Sequence, residues 1–337
     1  MTLTDRALSR RGLLKLAGGT ATAGALMGAS GCGLLGGSES ASSGNGQVEK
    51  PNIKVGALPI SDLAPLHLAV REGMFKQEGL NVEIVTASDG SAALSSTIGG
   101  DYDITYSSYV PFFAAQAKGV ADLKIVADCG AGAPNTTVIM TRPSSNVRTP
   151  QDLANASIAI SGPRTISELL VKATMKAYGV DYAQTEFAPV PFPTMPAALE
   201  QGRVDAAILT EPFLTQAARK IGAVPVADTN TGPLEDLPLT GYGATAQFTE
   251  ENPKTVAAFK RAMDKAVAMA QDRSKVEPLL PEFAKVDEQT ASIMSLLKFN
   301  SKPDATRLQR VPRLMKEFGF IDADIDVSKM IVRPQNS

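Results

Sequence analysis

A chain of 337 residues with 33 Lys and Arg against 35 Asp and Glu carries a formal charge of −2 at neutral pH, and 44% of it is hydrophobic. That is the composition of an ordinary globular protein without the positive excess a broad nucleic-acid face needs; Arg6, Arg10, Arg11 and Lys15 against Asp5 leave the remainder more acidic still. One histidine and two cysteines restrict the chemistry further, since His-based metal sites and Ser/His/Asp or Cys/His machinery would all have to be built around His67.

Taken in chain order, Ser9-Arg10-Arg11-Gly12-Leu13-Leu14-Lys15 opens an uncharged Ala/Gly/Leu run that ends at Ala29-Ser30-Gly31-Cys32. Paired arginines before a short apolar stretch read as a twin-arginine export signal, and small residues before a cysteine read as a lipoprotein cleavage site. Ala29 stands where lipoproteins usually carry Leu. Residues 1–31 are expected to be removed, leaving lipid on Cys32. The Gly/Ser/Ala/Asn-rich stretch to Gly46 cannot bury enough apolar surface to fold, so residues 32–51 read as a flexible tether. The body is then held by lipid at the outer face of the cytoplasmic membrane. No later apolar segment approaches the ~20 residues of a membrane helix. With Cys32 committed to lipid, Cys129 has no disulfide partner and reads as a small core residue.

The body alternates β-rich and helical runs: a strand at Ile53–Leu58, a helix to about Phe75, a strand at Val82–Val85, a helix at Ser91–Ile98 and a strand at Asp103–Tyr106. The alternation resumes with Ser157–Ile160, a helix from about Thr165 to Tyr178, a strand near Phe187–Val190, a helix around Met195–Gln201 and a strand at Asp205–Leu209. Such alternation predicts parallel sheets covered by helices, here as two doubly wound α/β lobes. The halves also repeat: Ala92-Ala93-Leu94 with Gly100-Asp101-Tyr102-Asp103-Ile104 recurs as Ala197-Ala198-Leu199 with Gly202-Arg203-Val204-Asp205-Ala206.

A ligand cleft is expected between the lobes, because ligands in open α/β sheets sit beyond the carboxyl ends of the strands. The strand-to-helix corners supply the candidate ligand-binding residues: Ser61 and Asp62; Asp89, Gly90 and Ser91; Ser107, Ser108 and Tyr109; Gly162, Arg164 and Thr165; and Glu211. Each corner taken alone reads more readily as an ordinary N-cap or turn than as a ligand site; their convergence makes the case. Thr165-x-x-Glu168 is a capping-box pattern, and Arg164 ahead of it suits a carboxylate, sulfonate or phosphate. Glu211 has three readings: a partner for a cationic or amidine-like group, a partner for Arg164 across the cleft, or a group that satisfies the backbone near Pro212. No catalytic, metal or cofactor constellation emerges.

Pro65-x-x-x-Ala69-x-x-x-Gly73-x-Phe75-x-x-Glu78-Gly79-Leu80-x-Val82, Gly90-Ser91-x-x-Leu94, Gly100-x-x-Asp103, and Ala198-Leu199-x-x-Gly202-x-Val204-Asp205-Ala206 before Glu211-Pro212-Phe213 together resemble the nitrate/sulfonate/taurine/thiamine-precursor group of ABC-transporter solute-binding proteins, over about residues 52–320. The resemblance implies a type II periplasmic-binding-protein fold, with residues 52–142 and 241–337 as one lobe and 143–240 as the other. It places the crossovers near Thr141–Pro143 and Thr240–Gly243, with Gly241-Tyr242-Gly243 as the bending segment and helices from about Pro253 packed back on the first lobe. It also implies a monomer that delivers a small-molecule ligand to separate permease and ATPase subunits. The implied ligand is a small organic anion. The alternative is a thiamine-precursor pyrimidine, for which Glu211, Phe213, Tyr106 and Tyr109 supply acidic and aromatic groups. Enzymes of the same fold, of the pyrimidine-synthase or menaquinone-pathway type, and a ligand-sensing lipoprotein are the other classes considered.

Overall fold

The computed structural model describes residues 47–332; the expected export signal, Cys32 and the tether to Gly46 lie outside the described residues. The first lobe opens with β1 (Asn52–Ala57), β2 (Asn81–Thr86), β3 (Ile104–Ser108) and β4 (Leu123–Ala131). The second holds β5 (Thr137–Thr141), β6 (Ser157–Ile160), β7 (Glu186–Pro189), β8 (Ala206–Thr210) and β9 (Val224–Asp228). The chain then returns with β10 (Pro238–Thr245) and β11 (Lys298–Phe299). The six-stranded sheet has the order β11-β4-β10-β3-β1-β2 and the five-stranded sheet β7-β6-β8-β5-β9. β1, β2 and β3 run parallel, as do β6, β7 and β8, while β10 and β5 enter their sheets antiparallel. The expected α/β class with two lobes is the observed one.

The internal repeat has a physical basis. Asp103 accepts the Lys54 N–H through Oδ2 at 2.9 Å and donates its own N–H to the Lys54 carbonyl at 3.0 Å. Asp205 does the same to Ser157, at 3.0 and 2.8 Å. In each lobe a carboxylate thus grips one parallel strand, β1 or β6, from the residue just ahead of the parallel strand beside it, β3 or β8. The turns ahead of both need a left-handed residue, supplied by Gly100 (φ 86°) and Gly202 (φ 66°).

The long helix Pro253–Ala270 begins with proline, whose missing N–H is harmless there. It buries Val256, Phe259, Ala262, Met263 and Ala266 along one stripe. Phe259 lies between Phe75, at 5.3 Å, and Tyr242 of β10, at 5.6 Å, and Tyr242 in turn meets Tyr106 at 5.9 Å. This helix packs on the first lobe as expected. Later segments do not stay there: Arg219 of the second lobe binds Asp287 at 2.8 Å, and Lys176 binds Glu317 at 2.6 Å.

The crossovers differ from expectation. The chain leaves the first sheet over residues 132–136 and returns over 229–237. The two passages are stitched together, since Asn230 Nδ2 donates to Thr136 Oγ1 at 3.2 Å and to the Thr137 carbonyl at 3.3 Å. Arg310 then donates to the carbonyls of Pro233, Glu235 and Asp236 at 3.0–3.2 Å. Gly241 and Gly243 are not a bending segment but lie within β10, between β3 and β4. Their lack of a side chain admits rings to the sheet: a Cβ at Gly241 would lie 2.4 Å from Tyr109 Oη, and one at Gly243 2.6 Å from Phe112 Cε1.

Gly243→Ala is therefore expected to lower stability by about 1–3 kcal/mol through overpacking. A fall in the urea midpoint at unchanged slope checks it; an unchanged midpoint would show that Phe112 yields freely.

Candidate functional site

Between the lobes lies a cavity of about 730 Å³, part of it open to solvent. Its walls come from the carboxyl ends of the parallel strands of both sheets, the position that open α/β folds reserve for ligands. From the first lobe come Leu58, Ile60 and Asp62 after β1, Ser88–Ser91 after β2, Tyr106 and Ser108 on β3, and Leu239 and Thr240 on β10. From the second come Thr137 on β5, Ser161 and Thr165–Ser167 after β6, Pro191 and Phe192 after β7, and Thr210 on β8.

Of the candidate residues, Asp62, Asp89, Gly90, Ser91, Ser108 and Thr165 line this cavity, whereas Ser61, Ser107, Tyr109, Gly162, Arg164 and Glu211 do not. The reasons are local. Ser61 N and Oγ donate to the Glu211 carbonyl at 3.3 and 3.4 Å, so Ser61 joins the lobes at the cavity edge. Ser107 is buried in β3. Tyr109 is buried with its hydroxyl donating to Asp128 Oδ1 at 2.6 Å. Gly162 uses its carbonyl to accept Thr165 Oγ1 at 2.7 Å.

Arg164 has a left-handed backbone, φ 57°, with its N–H held by Glu168 Oε2 at 2.6 Å. Its exposed guanidinium donates to the carbonyls of Gly319 and Phe320 and lies 5.5 Å from the Phe320 ring. The helix Ile166–Ala177 does start after Thr165, but the expected capping box is displaced. Glu168 reaches Arg164 N instead of Thr165 N, and Thr165 Oγ1 joins Ser161 and Ser167 hydroxyls at 3.2 and 2.7 Å.

Glu211 is fully buried and takes neither charged partner. Oε1 accepts Thr215 Oγ1 at 2.7 Å and Ser295 N at 3.2 Å, and Oε2 accepts Thr215 N at 3.1 Å. Burial raises its pKa against the pull of those bonds. It satisfies backbone groups and binds the C-terminal segment to the second lobe.

The charged residues of the lining are Asp62 and Asp89; among the described residues no Lys, Arg or His lines the cavity. Asp89 caps the helix Gly90–Ile98, Oδ1 accepting Ser91 N and Ala92 N at 2.9 Å. Asp62 is 5% exposed. Its Oδ2 accepts the Tyr106 hydroxyl at 2.7 Å, and its Oδ1 has no hydrogen-bond partner among the described residues. Desolvation pushes its carboxyl up to about 6, above the ordinary value of 3.8, against the opposing Tyr106 bond. His67 and Cys129 stay outside the cavity: His67 stacks on Phe283 at 4.0 Å, and Cys129 Sγ donates to the Asp62 carbonyl at 3.2 Å.

Phe192, half-buried, has Phe213 stacked behind it at 6.5 Å and 5°. The sequence reading passed over Phe192, although Pro191-Phe192-Pro193 between the recognised strand and helix marks the corner matching Ser88–Ser91. Thr240, expected in a crossover, and Leu239 beside it are wall residues on β10.

Residues 46–279 match the NMT1-like family. A formylaminopyrimidine-binding protein from Halalkalibacterium halodurans is 26% identical over 202 residues; the match spans 58% of this chain and 59% of that protein's length. The alkanesulfonate-binding protein SsuA from Xanthomonas axonopodis pv. citri, bound to MOPS, superposes with a TM-score of 0.75 at 17% identity, over 85% of this chain and 99% of that one. The periplasmic nitrate-binding protein NrtA from Synechocystis PCC 6803 does so at 0.72 and 16% identity, over 85% and 87%. The periplasmic-binding-protein fold expected from the sequence is thereby established.

A raised carboxylate destabilises the fold where it must ionise. The folded protein holds the Asp62 proton up to about pH 6 while the unfolded chain releases it near 3.8, so stability falls as pH rises through that window and stays lower above it. Asp62→Asn is expected to raise stability at pH 7.5 by about 1–3 kcal/mol and to leave it nearly unchanged at pH 4. Urea midpoints at both pH values check this; a variant weaker at pH 7.5 would refute the assignment.

Proposed function

The chain belongs to the NMT1-like family, and from that premise we propose that it is the solute-binding component of an ABC importer, closing its lobes on a small nitrogen heterocycle of the pyrimidine kind. The observation that carries the reading is the chemistry of the cleft. It is lined from both lobes by hydroxyls, apolar side chains and two carboxylates, with no cationic side chain among them. A sulfonate or nitrate placed there would meet like charge at Asp62 and Asp89. Arg164, the cation expected to receive an anion, is spent on Gly319 and Phe320. The anion reading therefore ranks below the pyrimidine alternative, which the similarity to a formylaminopyrimidine-binding protein also favours. Glu211, Phe213 and Tyr109 stand behind the wall in this arrangement, and Tyr106 remains in it.

The rest of the proposal follows the sequence. Export by the twin-arginine route, removal of residues 1–31 and lipid on Cys32 hold the body outside the cytoplasmic membrane on a tether shorter than the expected 32–51, since Glu49 and Lys50 are bound to Thr255 of the body. Residues before the crossover at 132–136 together with those after the return at 229–237, and the residues between the two crossovers, act as the two lobes of a monomer that hands its ligand to a separate permease and ATPase. The role is that of a binder rather than an enzyme, consistent with His67 and Cys129 standing apart from the cavity.

A thermal-shift screen of the full chain against aminopyrimidines, alkanesulfonates, taurine, nitrate and aromatic carboxylates tests the reading. A true ligand at a hundred times its dissociation constant stabilises the folded state by about 2.7 kcal/mol. Selective shifts with pyrimidines are expected; selective shifts with sulfonates or nitrate would restore the anion. Arg164→Ala is expected to leave ligand affinity within about twofold of wild type, as for a residue outside the site. A tenfold loss by calorimetry would return Arg164 to it.

A further inference from the structure

Among the described residues two atoms of lining residues lack a hydrogen-bond partner, Thr240 Oγ1 and Asp62 Oδ1, and only the second belongs to a carboxyl group. Asp62 sits in the turn Ser61–Leu63 directly after β1. It is buried, with Oδ2 fixed by Tyr106 and Oδ1 unpartnered among the described residues while its residue lines the cavity. A buried acceptor left without a donor is unfavourable, and a buried carboxylate without a cation more so. The groups packed around it do not relieve this. Tyr106 from β3 already donates to the other oxygen. Cys129 from β4 donates to the Asp62 backbone. Tyr242 from β10 is a neutral phenol whose pKa the nearby carboxylate helps to raise. Asp89 is an anion committed to its helix, and Glu211, across the lobe junction, turns its carboxylate to Thr215 and Ser295. No neighbour is thus a cation; the Thr240 and Tyr242 hydroxyls of the same cluster also lack partners among the described residues, and Asp62, which lines the cavity, is left to a donor on a ligand.

We propose that Asp62 Oδ1 is the specificity-determining acceptor of the cleft, taking an N–H from an exocyclic amino or amidine group on a nitrogen heterocycle while Tyr106 holds the carboxylate in place. The inference rests on the solute-binding reading above and narrows its ligand class. An amino group beside a ring nitrogen would satisfy Oδ1, and a flat ring would meet apolar Ile60 from the first lobe and Pro191 and Phe192 from the second. An oxo group in the amino position presents a lone pair to a lone pair. Sites built to bond a particular N–H reject analogues lacking it far more strongly than apolar pockets reject a missing methylene. The fixed Oδ2 matters too, because a carboxylate pinned by a phenol cannot rotate to evade the wrong partner.

The test is isothermal titration of the full chain and its Asp62→Asn variant with 4-amino-2-methylpyrimidine, its 4-oxo analogue and ethanesulfonate at pH 7.5. The wild-type protein is expected to prefer the amino over the oxo compound by roughly 100-fold or more and not to take up ethanesulfonate. Asp62→Asn, whose amide both donates and accepts, is expected to lose about tenfold or more in affinity for the amino compound and to bring the two pyrimidines within a few-fold of each other. Its urea midpoint at or above wild type shows that the loss is not unfolding. Tyr106→Phe, which removes only the pin, is expected to weaken binding less and to keep the amino preference. An amino preference that survives Asp62→Asn undiminished overturns the proposal alone. Wild-type protein that binds ethanesulfonate and neither pyrimidine, or none of the three, overturns the functional reading and the proposal with it.

Discussion

Each lobe is built around one carboxylate that grips a parallel strand of its own sheet, β1 in one and β6 in the other. Asp103 and Asp205 each take an N–H from, and return an N–H to, the residue in the strand beside them, Lys54 and Ser157. This double contact fixes β3 next to β1 and β8 next to β6. With the strands so registered, the corners after β1, β2 and β3 open toward the corners after β6, β7 and β8, and the cavity forms where they meet. Asp103 also takes Lys50 at 2.7 Å, but that partner is half exposed and adds little. The backbone bonds set the geometry, since they cannot be made in any other register.

That constraint was legible in the sequence, and its legibility is instructive. A repeat of Gly-x-x-Asp about a hundred residues apart marks two copies of one turn, in which glycine supplies the positive φ and aspartate the grip. Strand and helix positions followed from periodicity for the same reason: both depend on neighbours close in sequence. Where a corner residue points is another matter. Arg164 looked like an anion ligand from its place before a helix, yet a left-handed backbone and a distant segment, Gly319 and Phe320, decide its direction. Glu211 leaves three readings open because Ser295, whose N–H donates to its Oε1, is 84 positions away. Gly241 and Gly243 suggested freedom, whereas they make room for rings from another element. Long-range packing, not local propensity, made each of these choices.

The electrostatics of the cleft set this chain apart from what its fold alone suggests. Proteins of similar architecture include an alkanesulfonate-binding and a nitrate-binding protein. Here the corners present Asp62 and Asp89, and backbone N–H groups at the start of Gly90–Ile98 are already taken by Asp89. The scaffold positions a ligand; the side chains at a few corners decide its sign of charge. Keeping a carboxylate at 5% exposure with one oxygen unmatched is a local conflict of the kind that concentrates at functional sites.

The stitching of the two crossovers bears on how the lobes move. Asn230 ties the returning passage to the outgoing one, and Arg310 holds three carbonyls of the return. Two independent strings would let one lobe tilt, slide and twist over the other. Laced together and braced from a helix, they behave as a single torsion rod, leaving rotation about one axis as the soft mode. A ligand would then be met by the same pair of walls at every closure, in one register and from one direction.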